Sequence, residues 1–291
     1  MMVKKTTPPI PTILIEEYIK EFLQADLQYG DVTSWVIPET ASSRAQVISK
    51  SNGIIAGLQE ATIIANLFQL NCTCHKQDGE TIGQGDVILE LDGNTRQILM
   101  MERLMLNIMM RMSSIATSTH SWYSTIKKNS LSTRIAATRK LTPGFAFFEK
   151  KAVLLGGGDT HRWSLSDMVL LKDTHLKYYK NNIHDLIAKA RELNSFSKKI
   201  EIEVEKERDL YTAIDAGADI VMLDNLSPQR IKEILDRLED KGLRRQIQIE
   251  ASGNIDHSNY LEYAKSGVDI LSSSEITLQP KIRVDLSLKL Q

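Results

Sequence analysis

The stretch Asp219-Ile220-Val221-Met222-Leu223-Asp224 is a short apolar run bounded by two acids, the composition of a strand buried on both faces. A helical segment over 208–216 precedes it, and another over 228–238 follows it. Five more runs of this kind occur after residue 130, with helical segments between most of them. These runs span 134–138, 168–172, 200–204, 246–252 and 268–272. Repeated strand–helix units predict a parallel sheet, and this number of units favours a barrel over an open sheet.

The N-terminal part of the chain has a different pattern. Apolar residues recur at helical spacing over 12–30, and the segment 97–117 is strongly helical and rich in methionine. Between these segments, 44–98 mixes short strand-like runs with glycine turns, which predicts a compact α+β unit. We therefore expect two regions of different architecture.

The whole chain is almost neutral, with 36 Lys and Arg residues against 37 Asp and Glu residues. This balance excludes a global basic field that would hold nucleic acid or a membrane surface. The 291 residues suit one large domain or two ordinary ones. Met1-Met2-Val3-Lys4-Lys5 leads into no apolar core of signal-peptide type, and no apolar run approaches membrane length. We therefore expect a cytoplasmic protein.

The two cysteines, Cys72 and Cys74, are one residue apart. A disulfide between them would be strained. The run Cys72-Thr73-Cys74-His75 offers three metal ligands, but no second cluster completes such a site. We interpret both residues as ordinary structural cysteines.

Positive side chains gather in one part of this neutral chain. The stretch Thr138-Arg139-Lys140-Leu141-Thr142-Pro143-Gly144 is followed by Gly156-Gly157-Gly158-Asp159-Thr160-His161-Arg162 and then by Lys172. Its cationic or titratable side chains, which we call the cationic cluster, are Arg139, Lys140, His161, Arg162 and Lys172. Local positive charge in a neutral protein indicates a small ligand with several negative charges.

Polar residues follow almost every predicted strand, and active sites of βα barrels lie at the carboxyl ends of strands. These strand ends carry Arg139 and Lys140, Lys172, Glu203 or Glu205, Asp224, and Ser252-Gly253-Asn254. In the run Glu201-Ile202-Glu203-Val204-Glu205, alternation places the glutamates on one face, and helices would cover the apolar face. Inward carboxylates are costly unless they are paired with cations or a metal, and the available cations are Arg139, Lys140, Arg162 and Lys172.

These motifs resemble those of quinolinate phosphoribosyltransferase, also called nicotinate-nucleotide pyrophosphorylase (carboxylating). The resemblance rests on Thr-Arg-Lys-x-Thr-Pro-Gly, Gly-Gly-Gly-x-x-His-Arg and Lys-Asp-x-His. It continues through Glu201–Glu205, Leu223-Asp224-Asn225 and Glu250-Ala251-Ser252-Gly253-Asn254-Ile255, and in the N-terminal part through Gly30–Thr33, Gly53–Gly57 and Glu102–Asn107. It covers nearly the whole chain.

The resemblance implies an α/β fold class with a sandwich-like α+β N-terminal domain over 1–117. It also implies an incomplete (β/α) barrel over 118–291, the catalytic domain, whose last residues pack back on the N-terminal domain. The implied assembly is a homodimer or higher homo-oligomer in which the N-terminal domain covers the partner subunit's active site. The implied reaction joins quinolinate to phosphoribosyl pyrophosphate with Mg²⁺, and gives nicotinate mononucleotide, pyrophosphate and CO₂ in NAD biosynthesis. No nucleic acid and no membrane takes part.

By resemblance, the cationic cluster forms the quinolinate pocket, and Arg103 enters it from the neighbouring subunit. Planar guanidinium groups suit this role because they hold carboxylates bidentately. Glu201 and Asp224 match the family's ribose-linked and metal-linked acids, with Glu203 a weaker match, and such acids would stabilise a cationic sugar centre. We expect Lys140, Glu201 and Asp224 to be catalytic.

The phosphate groups are assigned, again by resemblance, to two turns near the C-terminus. The residues of these turns are Ser252, Gly253, Asn254, Ser273 and Ser274. Mg²⁺ keeps several of its waters, so we expect few protein ligands. Glu201 or Asp224 is the candidate, acting mostly through water or pyrophosphate.

The chain departs from the family pattern at three places. Ser272-Ser273-Ser274-Glu275 stands where Ser-x-Gly-Ala is usual, Leu141 replaces a threonine, and Ala146 stands where an arginine is common. The substituted turn is expected to alter phosphate affinity or to use serine hydroxyls as donors, while the cationic cluster is retained.

Three other functions stay open. One is that of a molybdenum-transport-associated relative of the same fold, which tends to lack the lysine found here as Lys172. Another is a nicotinate phosphoribosyltransferase that works without decarboxylation. The third is a non-catalytic, ligand-binding oligomer, which only the altered turn at Ser274-Glu275 supports.

Overall fold

The computed structural model describes residues 11–291, so the expectation for the first five residues lies outside the described part. The elements up to residue 128 are α1 (Thr12–Leu27), β1 (Ser42–Ser49), β2 (Gly53–Ile54), α2 (Leu58–Leu67), β3 (Asn71–Cys74), β4 (Thr81–Ile82), β5 (Val87–Asn94) and α3 (Thr95–Lys128). Those that follow are β6 (Arg134–Ala136), α4 (Ala146–Leu155), β7 (Val169–Leu171), α5 (Asp173–Tyr178), α6 (Ile183–Leu193), β8 (Ile200–Val204), α7 (Glu207–Asp215), β9 (Ile220–Asp224), α8 (Pro228–Asp240), β10 (Gln248–Ser252), α9 (Tyr260–Lys265), β11 (Ile270–Ser272), α10 (Glu275–Leu278) and β12 (Leu286–Leu290).

The chain divides into two compact units. The first unit runs to His120 and also contains Lys151–Gly157 and Pro280–Gln291. The second unit contains Ser121–Lys150 and Gly158–Gln279. The divisions at residues 120 and 150 fall within α3 and α4.

The first unit is built on a four-stranded sheet in the order β12-β1-β5-β3, in which every neighbouring pair is antiparallel. Strand β1 buries every second residue from Ala45 to Ser49, as expected for a sheet with one covered face. Helix α1 buries Ile15, Ile19 and Leu23, which lie on one stripe of the helix. The unit is therefore the α+β structure that the sequence predicts.

Helix α3 is longer than predicted, because it continues from the expected end near Thr117 to Lys128. The continuation is rich in serine and threonine, which have weak intrinsic helix propensity. Burial of Trp122 and Ile126 stabilises it instead, and Trp122 stacks on Tyr260 with 4.4 Å between the ring centroids. Over residues 11–291, none of the helices combines the length and apolar character that crossing a bilayer requires.

The second unit is built on a six-stranded sheet in the order β6-β11-β10-β9-β8-β7, with all pairs parallel. All six strands predicted after residue 130 are present. Strands β6 and β7 form the two edges, and no pairing in the described chain joins them. The fold class is therefore α/β with an incomplete barrel, as the family resemblance implies.

Helices cover this parallel sheet, and helix α8 shows how the sequence specifies them. The Ser227 side chain accepts a hydrogen bond from the Arg230 backbone N–H, and Pro228 occupies the first turn. The apolar stripe of the helix is Ile231, Ile234, Leu235 and Leu238, all buried. Each such side chain contributes about 1.5–3 kcal/mol of burial free energy. Because the strands are parallel, their carboxyl ends meet at one edge of the sheet.

Candidate active site

A cavity of about 420 Å³ lies at the carboxyl ends of the parallel strands. Its wall contains nine of the predicted site residues: Arg139, Lys140, His161, Arg162, Lys172, Asp224, Ser252, Gly253 and Asn254. The other wall residues are Ala137, Thr138, Leu170, Glu203, Met222, Asn225, Glu250 and Ser272. The fold thus brings together side chains that are far apart in the sequence, with cations and acids in one cavity.

The loop after β6, which carries Arg139 and Lys140, is fastened to helix α4. The Lys140 backbone N–H donates to Thr138 Oγ1 at 3.0 Å. The backbone N–H and the hydroxyl of Thr142 donate to the Glu149 carboxylate at 3.0 and 2.8 Å. Glu149 is fully buried, so its hydrogen bonds cannot easily be replaced by water. These bonds therefore hold the backbone of the loop that carries Arg139 and Lys140 at the cavity rim.

The loop that carries His161 and Arg162 is held by Lys150, the residue that follows Glu149 in helix α4. The Lys150 ammonium donates to the carbonyl oxygen of Thr160 at 2.8 Å and also to the carbonyl oxygen of Arg162. Lys150 is 1% exposed, and burial lowers its pKa to about 8. His161 has a φ of 53°, a left-handed conformation that costs energy outside glycine. The buried lysine stabilises this strained loop.

Arg162 and Arg139 lie near enough to repel each other. Arg162 is buried, and its pKa is lowered by burial and by the charge of Arg139. Two guanidinium groups at one cavity leave positive charge that an anionic ligand would neutralise. The pair is suited to a ligand with more than one carboxylate, because each guanidinium can hold one in a bidentate contact.

His161 contacts two buried acids. Its Nε2 lies 3.2 Å from Glu201 Oε2 and 3.2 Å from Glu250 Oε2. Both carboxylates are fully buried. Burial alone lowers the pKa of His161, but its contacts with Glu201 and Glu250 and their negative charges outweigh this and raise the pKa to about 10. His161 is therefore a cation at neutral pH.

Glu201 is one of the predicted site residues that do not line the cavity, whereas Glu203 lines it. Both point to the same face of β8, as alternation predicts, but Glu201 lies one pleat deeper and is fully buried beneath His161. The expectation that Glu201 serves ribose, or a metal through water or pyrophosphate, stays a prediction, and in this structure its carboxylate lies behind the cavity wall.

A second group of charges lies nearer the rim. The Lys172 ammonium donates to Glu203 Oε2 at 3.0 Å. Asp224 is half-buried, and its pKa is raised by burial and then by the negative charges of Glu203 and Glu205. Asn225 Nδ2 donates to Asp224 Oδ2 at 2.6 Å, which orients that carboxylate. These groups put acids and an ammonium side by side at the cavity mouth.

The turn after β10 approaches Asn225 closely. Gly253 has a φ of 92°, and a Cβ atom there would lie 2.7 Å from Asn225 Cγ and 2.9 Å from its backbone nitrogen. Asn254 also has a positive φ, of 52°, and its Nδ2 donates to Asn225 Oδ1 at 3.1 Å. Only glycine fits at residue 253, so this turn can bring backbone groups up to a ligand.

The serines of the last turn differ in their access to the cavity. Ser272 lines the cavity, while Ser273 and Ser274 do not. The Ser273 hydroxyl donates to the Ile255 carbonyl oxygen at 2.6 Å and accepts from the Glu275 backbone N–H at 3.1 Å. The assignment of Ser273 and Ser274 to phosphate stays a prediction, and the Ser273 hydroxyl is already engaged in hydrogen bonds within the protein.

The unusual Glu275 also has protein partners. Its Oε2 accepts from the His257 backbone N–H at 2.7 Å, and its Oε1 lies 3.1 Å from His257 Nδ1. The carboxylate therefore joins α10 to the segment that follows the Gly253 turn. Its negative charge is partly offset by these contacts.

Arg103 and the cysteines lie in the first unit. Arg103 is on α3, its side chain is 66% exposed, and its Nη2 lies 3.9 Å from Glu102 Oε1. The cavity wall belongs to the second unit, so Arg103 is not part of it. Cys72 and Cys74 are free thiols on β3, and hydrogen bonding from Cys72 lowers the pKa of Cys74 to about 6.

The role of Glu149 and Lys150, which hold the loops of the cavity in place, could not be predicted from the sequence. Glu149 and Lys150 belong to the run Glu149-Lys150-Lys151, which resembles a solvated charged face. All three are buried, and the aromatic residues just before them are the only sequence signal of this. Glu250 and Asn225 were part of quoted motifs, but only the fold shows that they line the cavity.

The fold and the cavity define an α/β-barrel enzyme whose substrates carry several negative charges. Family models for the N-terminal and the C-terminal domain of quinolinate phosphoribosyl transferase match residues 31–113 and 115–289. The chain belongs to this family.

Individual relatives agree over nearly the full length. A probable nicotinate-nucleotide pyrophosphorylase (carboxylating) of Methanothermobacter thermautotrophicus is 42% identical, over 94% of this chain and 98% of its own. The nicotinate-nucleotide pyrophosphorylase (carboxylating) of Dictyostelium discoideum is 34% identical, over 97% of both chains. The solved structure of the nicotinate-nucleotide pyrophosphorylase from Francisella tularensis has a TM-score of 0.89 and 34% identity, and covers 97% of this chain and 98% of that one.

Proposed function

We propose that this protein transfers the phosphoribosyl group of phosphoribosyl pyrophosphate to quinolinate, and gives nicotinate mononucleotide, pyrophosphate and CO₂ in NAD biosynthesis. The observation that carries the proposal is the cavity that joins the whole cationic cluster to the acids Glu203 and Asp224. Full-length relatives named for this activity support it.

The cationic cluster binds the two carboxylates of quinolinate. Arg139 and Arg162 supply planar forks, and Lys140 supplies a mobile point charge at the rim. His161 adds a fixed positive charge, because Glu201 and Glu250 keep it protonated. Nicotinate has one carboxylate, so it would leave part of this charge unbalanced. Dicarboxylate binding is therefore favoured over nicotinate binding.

The acids at the cavity mouth stabilise the reacting sugar. Breaking the bond from the sugar to pyrophosphate develops positive charge on the ring, and fixed carboxylates nearby lower the energy of that state. Glu203 and Asp224 are proposed for this role, and Lys172 balances Glu203 before the ligand binds. Lys140 is proposed to favour CO₂ loss by drawing one carboxylate out of water.

Mg²⁺ is proposed as the cofactor, carried mainly by pyrophosphate. Asp224 fits this ion, because it presents a hard carboxylate at the cavity wall and few protein ligands are needed. When bound, Mg²⁺ neutralises negative charge on the pyrophosphate. The residues around it do the orienting: Asn225 holds the Asp224 carboxylate, and the Gly253 turn offers backbone N–H groups to phosphate.

We further propose a homodimer or higher homo-oligomer with shared active sites, in the cytoplasm. The exposed guanidinium of Arg103 lies on the first unit and is available to a partner subunit's ligand. The free thiols of Cys72 and Cys74 agree with a reducing compartment.

The test is an assay of the purified protein with Mg²⁺, phosphoribosyl pyrophosphate and either quinolinate or nicotinate. Nucleotide is separated by chromatography and pyrophosphate is measured in parallel. We expect nicotinate mononucleotide from quinolinate only. Product from nicotinate but not quinolinate would make the protein a nicotinate phosphoribosyltransferase, and binding without product would make it a ligand-binding oligomer.

A further inference from the structure

One step of the proposed reaction consumes a proton. When the carboxylate on C2 of the pyridine ring leaves as CO₂, the C–C bond breaks and its electron pair stays on C2, beside the quaternised nitrogen. A new C–H bond must then form at C2. The step needs no oxidant and no reductant, but it does need an acid close to the ring.

The geometry of His161 is that of an acid with one nitrogen held and one nitrogen free. Its Nε2 lies between the carboxylates of Glu201 and Glu250, at 3.2 Å from each. Its Nδ1 has no hydrogen-bond partner among residues 11–291, and the ring forms part of the cavity wall. The two acids thus fix the tautomer, because a neutral imidazole would keep its remaining proton on Nε2.

The two acids also supply the charge that keeps the ring protonated. Both oxygens of Glu201 and Oε1 of Glu250 are buried without a hydrogen-bond partner in the described chain, so their charge is poorly satisfied. A buried carboxylate is costly unless a cation balances it, and His161 is within ion-pair distance of both. Arg162 is the other cation that acts on Glu201.

We propose that His161 donates the proton that replaces CO₂ at C2, and that Glu201 and Glu250 are positioning residues that hold it as an imidazolium with Nδ1 towards the ligand. This proposal rests on the proposed function. The proton leaves Nδ1, C2 gains it, and the ring becomes neutral with Nε2–H donating to the acids. Water returns a proton to Nδ1 after the product has left.

The other cations of the cavity are less suited to this step. Lys172 already donates to Glu203 at 3.0 Å. Lys140 is exposed at the rim on a flexible side chain, which suits carboxylate binding more than delivery of a proton to one ring atom. His161 is held at 10% side-chain exposure by contacts that fix its ring.

The test measures which acid supplies the proton, independently of the rate. The enzyme makes nicotinate mononucleotide in an equal mixture of H₂O and D₂O, and proton NMR gives the H/D ratio at C2 of the product. This ratio depends on the donor group. We expect His161→Asn to turn over at least about 100-fold more slowly and to give a changed ratio. His184→Asn, on an exposed histidine of α6, is the matched control and should leave both unchanged.

An H/D ratio in His161→Asn equal to that of the wild type would overturn the proposal, because another donor would then serve both proteins. If that variant makes too little product, Glu250→Gln decides. Loss of this charge should move the alkaline limb of kcat to lower pH, with the wild-type H/D ratio kept, and an unmoved limb would contradict the role of Glu250. A divalent ion bound to the wild type and lost in His161→Asn would equally overturn it. A wild type that makes no nucleotide at all would instead refute the proposed function.

Discussion

Lys150 is the residue on which the position of two predicted ligand-binding side chains depends. Its ammonium is almost fully buried and donates to two backbone carbonyl oxygens, those of Thr160 and Arg162. These carbonyls flank His161, whose backbone is in a left-handed conformation. A charge that touches no substrate in this arrangement can still control substrate binding, because it fixes the loop that carries the ligand contacts.

Replacing Lys150 by methionine should loosen that loop. Methionine fills similar space but leaves both carbonyl oxygens without a donor, at a cost of about 1–3 kcal/mol for each buried group. We expect a lower melting temperature and a KM for quinolinate raised at least about tenfold. Steady-state kinetics and thermal unfolding test this, with Lys232→Met on the exposed face of α8 as the matched control. An unchanged KM in a folded variant would show that the loop of His161 and Arg162 keeps its conformation without Lys150.

The buried cluster around His161 should also make stability depend on pH. The pKa of His161 is raised to about 10 by Glu201 and Glu250 against the opposing effect of burial, and the pKa of Glu201 is raised to about 7 by burial and by Glu250. Both groups bind protons more tightly in the folded state. The stabilisation from His161 is therefore complete below about pH 6.5 and is lost as the pH rises through 10.

Urea unfolding of the wild type and of His161→Asn between pH 6 and 10 measures this directly. We expect the wild type to lose more unfolding free energy than the variant as the pH rises. Glu201 adds a loss of the same sign between its ordinary value of 4.5 and about 7. If the unfolding free energies of the two proteins fall in parallel as the pH rises, Glu201 and Glu250 do not keep His161 protonated.

At the scale of elements, the turn after β10 is the part of the site that leaves least room for an added side chain. Gly253 leaves no room for a side chain beside Asn225 and has a positive φ as well. We expect Gly253→Ala to raise the KM for phosphoribosyl pyrophosphate by at least about tenfold, because the turn must shift, with a smaller effect on quinolinate.

Gly242→Ala is the matched control for that variant, since Gly242 has a φ of 68° but nothing within 4 Å of its Cβ position. Gly242→Ala puts an alanine in a left-handed backbone conformation, but its Cβ atom meets no neighbouring atom. Kinetics with each substrate varied in turn, beside melting temperatures, separate the two effects. Equal KM values for phosphoribosyl pyrophosphate in the two variants would remove this turn from the phosphate site.

The elements themselves could be predicted because their signals are local. Each parallel strand is a short apolar run between polar residues, and each was found within a few residues of its true bounds. The end of α3 could not be predicted, because packing of Trp122 and Ile126 decides it and not helix propensity. Strand β12 was not predicted as a strand, since its pairing with β1 joins residues far apart in the chain.

Most residues of the site could be predicted, but not which of them reach the cavity and which are buried beneath its wall. Alternation gave the inward face of β8, but it could not tell that Glu203 reaches the cavity while Glu201 lies beneath His161. Likewise, no sequence pattern indicates the partners of Glu149 and Lys150, because their hydrogen bonds join them to loops whose conformation depends on the whole fold. The roles of the cavity residues remain predictions for the experiments described above.

At the scale of the whole molecule, the proposed oligomer makes a specific demand on Arg103. If Arg103 acts in the partner subunit's site, then Arg103→Ala and Lys140→Ala fall in the same active site of a hybrid dimer and leave its other site intact. Mixing the two inactive variants under conditions of subunit exchange should restore up to about a quarter of wild-type activity, since half of the dimers are hybrids with one intact site. No recovery, with exchange demonstrated by mass spectrometry, would argue against shared sites.

The most direct test of the central claim uses quinolinate labelled with ¹⁴C in one carboxylate at a time. The purified protein is incubated with Mg²⁺, with and without phosphoribosyl pyrophosphate. We predict that label from the C2 carboxylate appears as CO₂ only when phosphoribosyl pyrophosphate is present, and that label from the C3 carboxylate appears in an equal amount of nicotinate mononucleotide. Release of CO₂ without phosphoribosyl pyrophosphate, or a nucleotide that keeps both labels, would contradict the account.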